Sequence, residues 1–164
     1  MAGMGESTMN SPPDRPGFAV LGSTRGSTFA PILDAWRAGS LRADPVLVAS
    51  NRKSAGILEK ARAHGIDASW IPVRSRDRIE YDEAVSRELT AAKVDFVLLI
   101  GYMRILSAPF VARWRGRVAN VHPSLLPRHA GLMDLDIHRA VIANGETESG
   151  CTVHAVIEEV DEGP

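Results

Sequence analysis

Asn120 and His122 stand two residues apart in Asn120-Val121-His122-Pro123-Ser124-Leu125-Leu126-Pro127. In an extended segment such positions face the same side, so an amide and an imidazole can share one cleft. The pair suits acyl transfer. The amide can steady a developing oxyanion, and the imidazole, titrating near neutrality, can give or take a proton. The prolines restrict the backbone that follows. An isolated Asn-x-His is more often a strand end with a structural histidine. Further along, Val160-Asp161-Glu162-Gly163-Pro164 offers a carboxylate. A carboxylate beside an imidazole favours the charged ring and orients it, although Asp161 by itself reads as a turn residue.

A second candidate is the loop Gly22-Ser23-Thr24-Arg25-Gly26-Ser27-Thr28. Glycines let backbone amides approach a ligand. The amides of Ser27 and Thr28 would open a helix, where the dipole favours an anion such as phosphate. The loop is neither GxGxxG nor GxxxxGKS/T, and a structural turn explains it equally well. His64, His129, His138 and His154 lack metal-ligand spacing. His154 reads as a core residue of a strand, and Cys151 as a small buried one.

The elements that must carry these residues alternate. Phe18 to Leu21, Pro45 to Ala49, Trp70 to Val73, Val94 to Ile100, Arg117 to Val121 and Cys151 to Ile157 read as strands. Helical spacing is set by Phe29, Ile32, Leu33 and Trp36, then by Ile57, Leu58 and Ala61, and then by Tyr81, Ala84, Val85 and Leu89. Ser107 can cap a short helix carrying Phe110, Val111 and Trp114, and another spans Ile137 to Ala143. Strands separated by single helices imply right-handed crossovers and a mostly parallel sheet. Ligands of such sheets bind beyond the carboxyl ends of the strands, in the loops after Leu21, Ile100, Val121 and Ile157.

With 164 residues, 45% hydrophobic and 24% charged, the chain has the profile of one globular domain. A net charge of -1 gives no electrostatic draw to nucleic acid or to a membrane. The most apolar stretch, near Val94 to Ile105, is interrupted by Asp95 and Arg104, so no spanning helix is expected. One cysteine forms no internal disulfide, and a reducing cytoplasm is the simplest home. Residues 1–16, polar and rich in Gly, Ser and Pro, read as a flexible tail ahead of a domain at 17–164.

Together Gly26-Ser27-Thr28, Gly101-Tyr102-Met103-Arg104-Ile105-Leu106, the Asn120 to Pro127 block, Gly150-Cys151-Thr152-Val153-His154 and Val160 to Pro164 follow an order and spacing that resemble the folate-dependent glycinamide ribonucleotide formyltransferase family. The resemblance covers about Gly17 to Pro164. It implies a three-layer, Rossmann-like α/β formyltransferase fold. It also implies that 10-formyltetrahydrofolate gives its formyl group to the amine of 5-phosphoribosylglycinamide, in purine synthesis, through a tetrahedral intermediate and without a metal. Asn120, His122 and Asp161 match the catalytic trio. Gly26, Ser27 and Thr28 match the substrate-phosphate loop. Arg78, Met103, Arg104, Ile105, Leu106 and Asn120 match the folate site, although Arg78 reads equally as a solvated charge at a helix start. The small-molecule substrates are the expected partners.

Three departures stand out. Thr28 occupies a position where many members carry Asn. Met133-Asp134-Leu135-Asp136-Ile137-His138 is a longer loop variant. Members also continue beyond the equivalent of Pro164 with a strand and a helix, so a domain lacking those elements, and weakened activity, are expected. The rival readings are a 10-formyltetrahydrofolate hydrolase, whose relatives carry an N-terminal regulatory domain, formyltransferases acting on a charged tRNA or a sugar nucleotide, and an inactive folate-binding fragment.

Overall fold

The computed structural model describes residues 15–132 and 135–164. The tail expected over 1–16 lies outside the described residues except for Arg15 and Pro16, and Met133 and Asp134 of the loop variant lie outside them too. Arg15 pairs with Asp44 at 3.5 Å, and the Pro16 carbonyl accepts from the Asp44 amide at 3.0 Å.

The chain alternates β1 (Gly17–Leu21), α1 (Phe29–Arg37), β2 (Asp44–Ser50), α2 (Gly56–Ala63), β3 (Asp67–Trp70), α3 (Arg78–Ala91), β4 (Phe96–Ile100), α4 (Ala108–Arg113), β5 (Val118–His122), α5 (Leu135–Ala143) and β6 (Thr152–Ala155). The six strands form one sheet in the order β3-β2-β1-β4-β5-β6. All neighbours are parallel except β5 and β6.

Alternation along the strands divides the apolar residues between two layers. Ala19, Leu21, Leu47, Ala49 and Val97 pack with Tyr81, Val85 and Leu89 of α3 and Phe110 of α4. Phe18, Val20 and Val48 face the other way, onto Phe29 and Leu33 of α1 and Ile57, Leu58 and Ala61 of α2. The result is the three-layer, mostly parallel α/β fold the sequence predicts. From β1 the chain winds outward to β2 and β3, then returns to β4 on the other side. This reversal leaves a crevice at the carboxyl ends of β1 and β4, where open α/β sheets bind ligands.

Some boundaries differ from the sequence reading. The third strand is Asp67–Trp70, not Trp70 to Val73. The Ile71 amide still donates to the Ser50 carbonyl at 2.9 Å, but Pro72 has no N–H to continue the ladder. As a half-exposed edge, this strand tolerates the polar Asp67 and Ser69. The last strand is shorter than Cys151 to Ile157, and it runs antiparallel. Cys151 precedes it and is exposed rather than buried. Ser107 does occupy the N-cap of α4, but its hydroxyl makes no cap bond.

Candidate active site

Three loops converge on the crevice. The first follows β1 and bends at Ser23 and Thr24. Gly26 has φ +66°, and a Cβ there would lie 2.6 Å from Ile57 Cγ1, so only glycine fits. Ser27 and Thr28 follow at the start of α1, exposed to the cleft, and the Thr28 side chain makes no cap bond. The second loop, Gly101 to Leu106, leaves β4. Its Met103 amide donates to Ser23 Oγ at 2.9 Å, and Ser23 Oγ donates to Asn51 Oδ1 at 2.6 Å. The third follows β5. Ser124 Oγ donates to the Arg128 carbonyl at 2.7 Å. Thr152 Oγ1 accepts from the Leu126 amide at 3.0 Å and donates to the Ser124 carbonyl at 2.8 Å. These bonds fasten the Pro-rich loop to the start of β6.

These loops, with the Val156 to Asp161 segment after β6, enclose a cavity of about 370 Å³. Gly26, Ser27, Thr28, Met103, Arg104, Ile105, Leu106, Asn120, His122 and Asp161 all line it. Arg78 does not: it is exposed at the first turn of α3, next to the Asp77–Glu80 capping box.

The polar centre is buried. His122 Nδ1 lies 3.5 Å from Asp161 Oδ1, and the two side chains are 5% and 8% exposed. His122 Nε2 is buried without a hydrogen-bond partner. One ring nitrogen therefore faces a carboxylate while the other is left without a partner in a residue that lines the cavity, an arrangement that suits an imidazole that moves protons. Asp161 has φ +60°, a left-handed conformation that Asp tolerates better than most residues. Its other oxygen, Oδ2, accepts from the Gly131 amide at 2.9 Å, tying the Pro-rich loop to the same carboxylate.

Sequence reasoning missed His154, which belongs to this centre. Asn120 and His154 are directly opposed in the β5–β6 ladder. His154 Nδ1 lies 3.0 Å from the Ala155 carbonyl, which can only accept, so Nδ1 carries the proton. In the neutral ring Nε2 then accepts from Asn120 Nδ2 at 3.1 Å. That bond orients the amide and leaves its second hydrogen free. His154 Nε2 is also 3.6 Å from Asp161 Oδ1. The reading of His154 as core is right about its burial, 5% exposed, but not about its surroundings. Cys151 and His138 line the cavity as well. The signal for His154 is its register opposite Asn120, which appears only once β6 is known to run antiparallel.

Under the Met103 to Leu106 wall lies a polar cluster. The Arg104 guanidinium sits 4.3 Å from the centre of the Tyr81 ring. Burial pushes the hydroxyls of Tyr81 and Tyr102 up from the ordinary phenol range. Burial also raises the Asp82 carboxyl, against the lowering effect of the Ser107 amide hydrogen bond and the Arg104 charge. Among the described residues no cluster of three or more His, Cys, Asp or Glu side chains has metal-binding geometry, and no helix is long and apolar enough to cross a membrane.

An imidazole beside a carboxylate, with an oriented amide on the same strand, lines a cleft next to the switch point of a mostly parallel α/β sheet and suits acyl transfer. The chain belongs to the formyl transferase family, whose profile matches residues 17–164. It is 46% identical over 148 residues to the trifunctional purine biosynthetic protein adenosine-3 of Drosophila melanogaster, with 88% of this chain and 11% of that protein covered. To the phosphoribosylglycinamide formyltransferase of Escherichia coli (strain K12) it is 40% identical over 148 residues, covering 90% of this chain and 68% of the relative. The crystal structure of glycinamide ribonucleotide transformylase 1 from Symbiobacterium toebii superimposes with a TM-score of 0.85 at 38% identity, over 91% of this chain and 69% of that one. The chain thus spans only a small part of the trifunctional proteins and about two thirds of the Escherichia coli enzyme.

Proposed function

We propose that the chain transfers the formyl group of 10-formyltetrahydrofolate to the primary amine of 5-phosphoribosylglycinamide, a step of purine synthesis. The carrying observation is His122, buried beside Asp161 with its Nε2 unpartnered, in the lining of a cavity shared with the glycine-rich helix start at Gly26 to Thr28 and the Met103 to Leu106 segment. Gly26, Ser27 and Thr28 would take the substrate phosphate, through backbone amides and hydroxyls at the start of α1. Met103, Arg104, Ile105 and Leu106 would line the folate pocket. Arg78, on the exposed start of α3, would meet the folate's outer, anionic end. The cavity volume and apolar lining fit a flat heteroaromatic group.

In the reaction the amine adds to the formyl carbon, and negative charge develops on the formyl oxygen. The free hydrogen of Asn120 Nδ2 and a protonated His122 Nε2 would steady that oxygen. Asp161, 3.5 Å from Nδ1, would hold the ring in place. As the tetrahedral carbon collapses, the amine proton leaves and the folate nitrogen regains one, a transfer His122 can serve. Binding both substrates in one cleft supplies the proximity term. No step requires a metal. We assign the protein to the cytoplasm, a reducing compartment in which its single free thiol persists.

The test is loss of 10-formyltetrahydrofolate, followed with and without 5-phosphoribosylglycinamide, for the chain and for His122→Ala. Amine-dependent turnover that collapses in the variant supports the proposal. Turnover without the amine makes the protein a hydrolase. Folate binding without turnover makes it a binding fragment.

A further inference from the structure

Asp82 on α3 is a carboxylate that the transfer chemistry does not use, although it is only 1% exposed. A buried acid costs stability unless it is well hydrogen-bonded, and among the described residues Asp82 has no ion-pair partner. What it does have is a short bond: Oδ2 accepts from the Ser107 amide at 2.6 Å. Ser107 follows Leu106, the last residue of the cleft wall.

That wall is a short irregular segment held at a few points. The Met103 amide is anchored on Ser23 Oγ at 2.9 Å. The Arg104 guanidinium stacks on Tyr81, the neighbour of Asp82. The Ser107 amide is anchored on Asp82. One turn further along α3, Ser86 Oγ accepts from Trp114 Nε1 at 3.1 Å and docks the end of α4. Between the anchors Ile105 is 48% exposed and lines the cavity. Without the Asp82 bond the far end of the wall is held by packing and by its continuation into α4, where the Ser107 carbonyl accepts from the Val111 amide at 3.0 Å.

We propose that Asp82 is a positioning residue for the formyl-folate: by accepting the Ser107 amide it fixes the Met103 to Leu106 backbone at the spacing the folate needs. This rests on the reading of that segment as the folate wall. A charge-assisted hydrogen bond to a buried carboxylate is among the stronger anchors available, and binding depends on such preorganisation. Asp82 touches neither substrate, so its effect belongs in the folate KM and not in the chemistry.

Three variants of the full chain address the bond from both ends. Asp82→Ala removes the acceptor. Ser107→Pro removes the donor at a residue whose φ of -79° proline can adopt. Asp82→Asn keeps an acceptor of the same reach. Hydrogen exchange of the Met103 to Leu106 amides is measured without ligand, alongside steady-state KM for each substrate and kcat. Asp82→Ala and Ser107→Pro should each speed exchange across the wall and raise the 10-formyltetrahydrofolate KM about tenfold. The amine KM and kcat should stay within about twofold, and Asp82→Asn should restore most of the folate KM. Unchanged wall exchange in Ser107→Pro overturns the proposal. So does an equal rise in both KM values, which marks a merely structural role. If the unaltered chain neither transfers the formyl group nor binds the folate, the functional reading falls and this inference falls with it, a result separate from normal turnover that the variants leave unchanged.

Discussion

The two halves of the sheet differ in kind. On the β3-β2-β1 side the interior is mostly apolar. Every residue of β1 is buried, Val20, Val48, Phe29, Ile57 and Leu58 are fully so, and two apolar layers close over the strands. On the β5-β6 side the interior is polar. His122, Ser124 and His154 are buried there, His129 and Asp161 adopt left-handed backbone, and Val153 and Ile142 are 64% and 78% exposed. The first half supplies hydrophobic stabilisation; the second spends part of it holding polar groups in place around a cavity. Asp161, left-handed and paired with His122, lies where the substrates would bind, a place where backbone strain can serve function.

That contrast predicts that stability and activity can be lost separately. The largest expected effect is on the polar side. His122→Ala should lower turnover by ~10³-fold with little change in melting temperature, and a parallel loss of both would break the comparison. On the apolar side, Leu33→Ala should cost ~3 kcal/mol of stability, read by denaturant unfolding, because it leaves a cavity between α1 and the sheet. Turnover per folded molecule should be unchanged.

Asn120→Ala should reduce kcat ~10²-fold by removing an oxyanion donor. It also strands His154 Nε2, so a modest fall in stability should accompany it, sharpening the claim that function and local order are coupled only in this half.

The smallest effect concerns Glu146. Burial pushes its carboxyl up, but hydrogen bonds from His129 and Asn144 outweigh that and hold it below the usual range. A carboxyl depressed in the folded state stabilises the fold above its unfolded pKa, and that stability is lost as pH falls through the folded value. Melting temperature should therefore decline below about pH 4.5, and Glu146→Gln should lower the neutral-pH value slightly and flatten that decline. An unchanged acid limb in the variant would remove the His129–Glu146 contact from the account of how the Pro-rich loop is held.

Most of the architecture was legible in the chain because its cause is local. Apolar runs bounded by Gly and Pro set the strands, and 3.6-residue spacing at Phe29, Ile32 and Leu33, or at Tyr81, Val85 and Leu89, set the helices. Strand–helix alternation allows little beyond a mostly parallel sheet. The i, i+2 spacing of Asn120 and His122 likewise put both on one side of β5, and the glycines of Gly22 to Thr28 marked a turn before a helix. Those inferences need only the geometry of one element.

What the tertiary structure alone decided concerns residues brought together from different elements. The edge strand β3 begins at Asp67 because β2 offers it a partner there, and β6 reverses direction, which no periodicity encodes. That reversal sets His154 opposite Asn120 and carries the chain on to Asp161, whose carboxylate then lies beside both histidines. The same holds for Asp82: its sequence position on a helix says nothing of the Ser107 amide 25 residues away. Local pattern reports which face a residue takes, whereas contacts across the sheet depend on strand order and direction, which follow from how the whole chain buries its apolar surface.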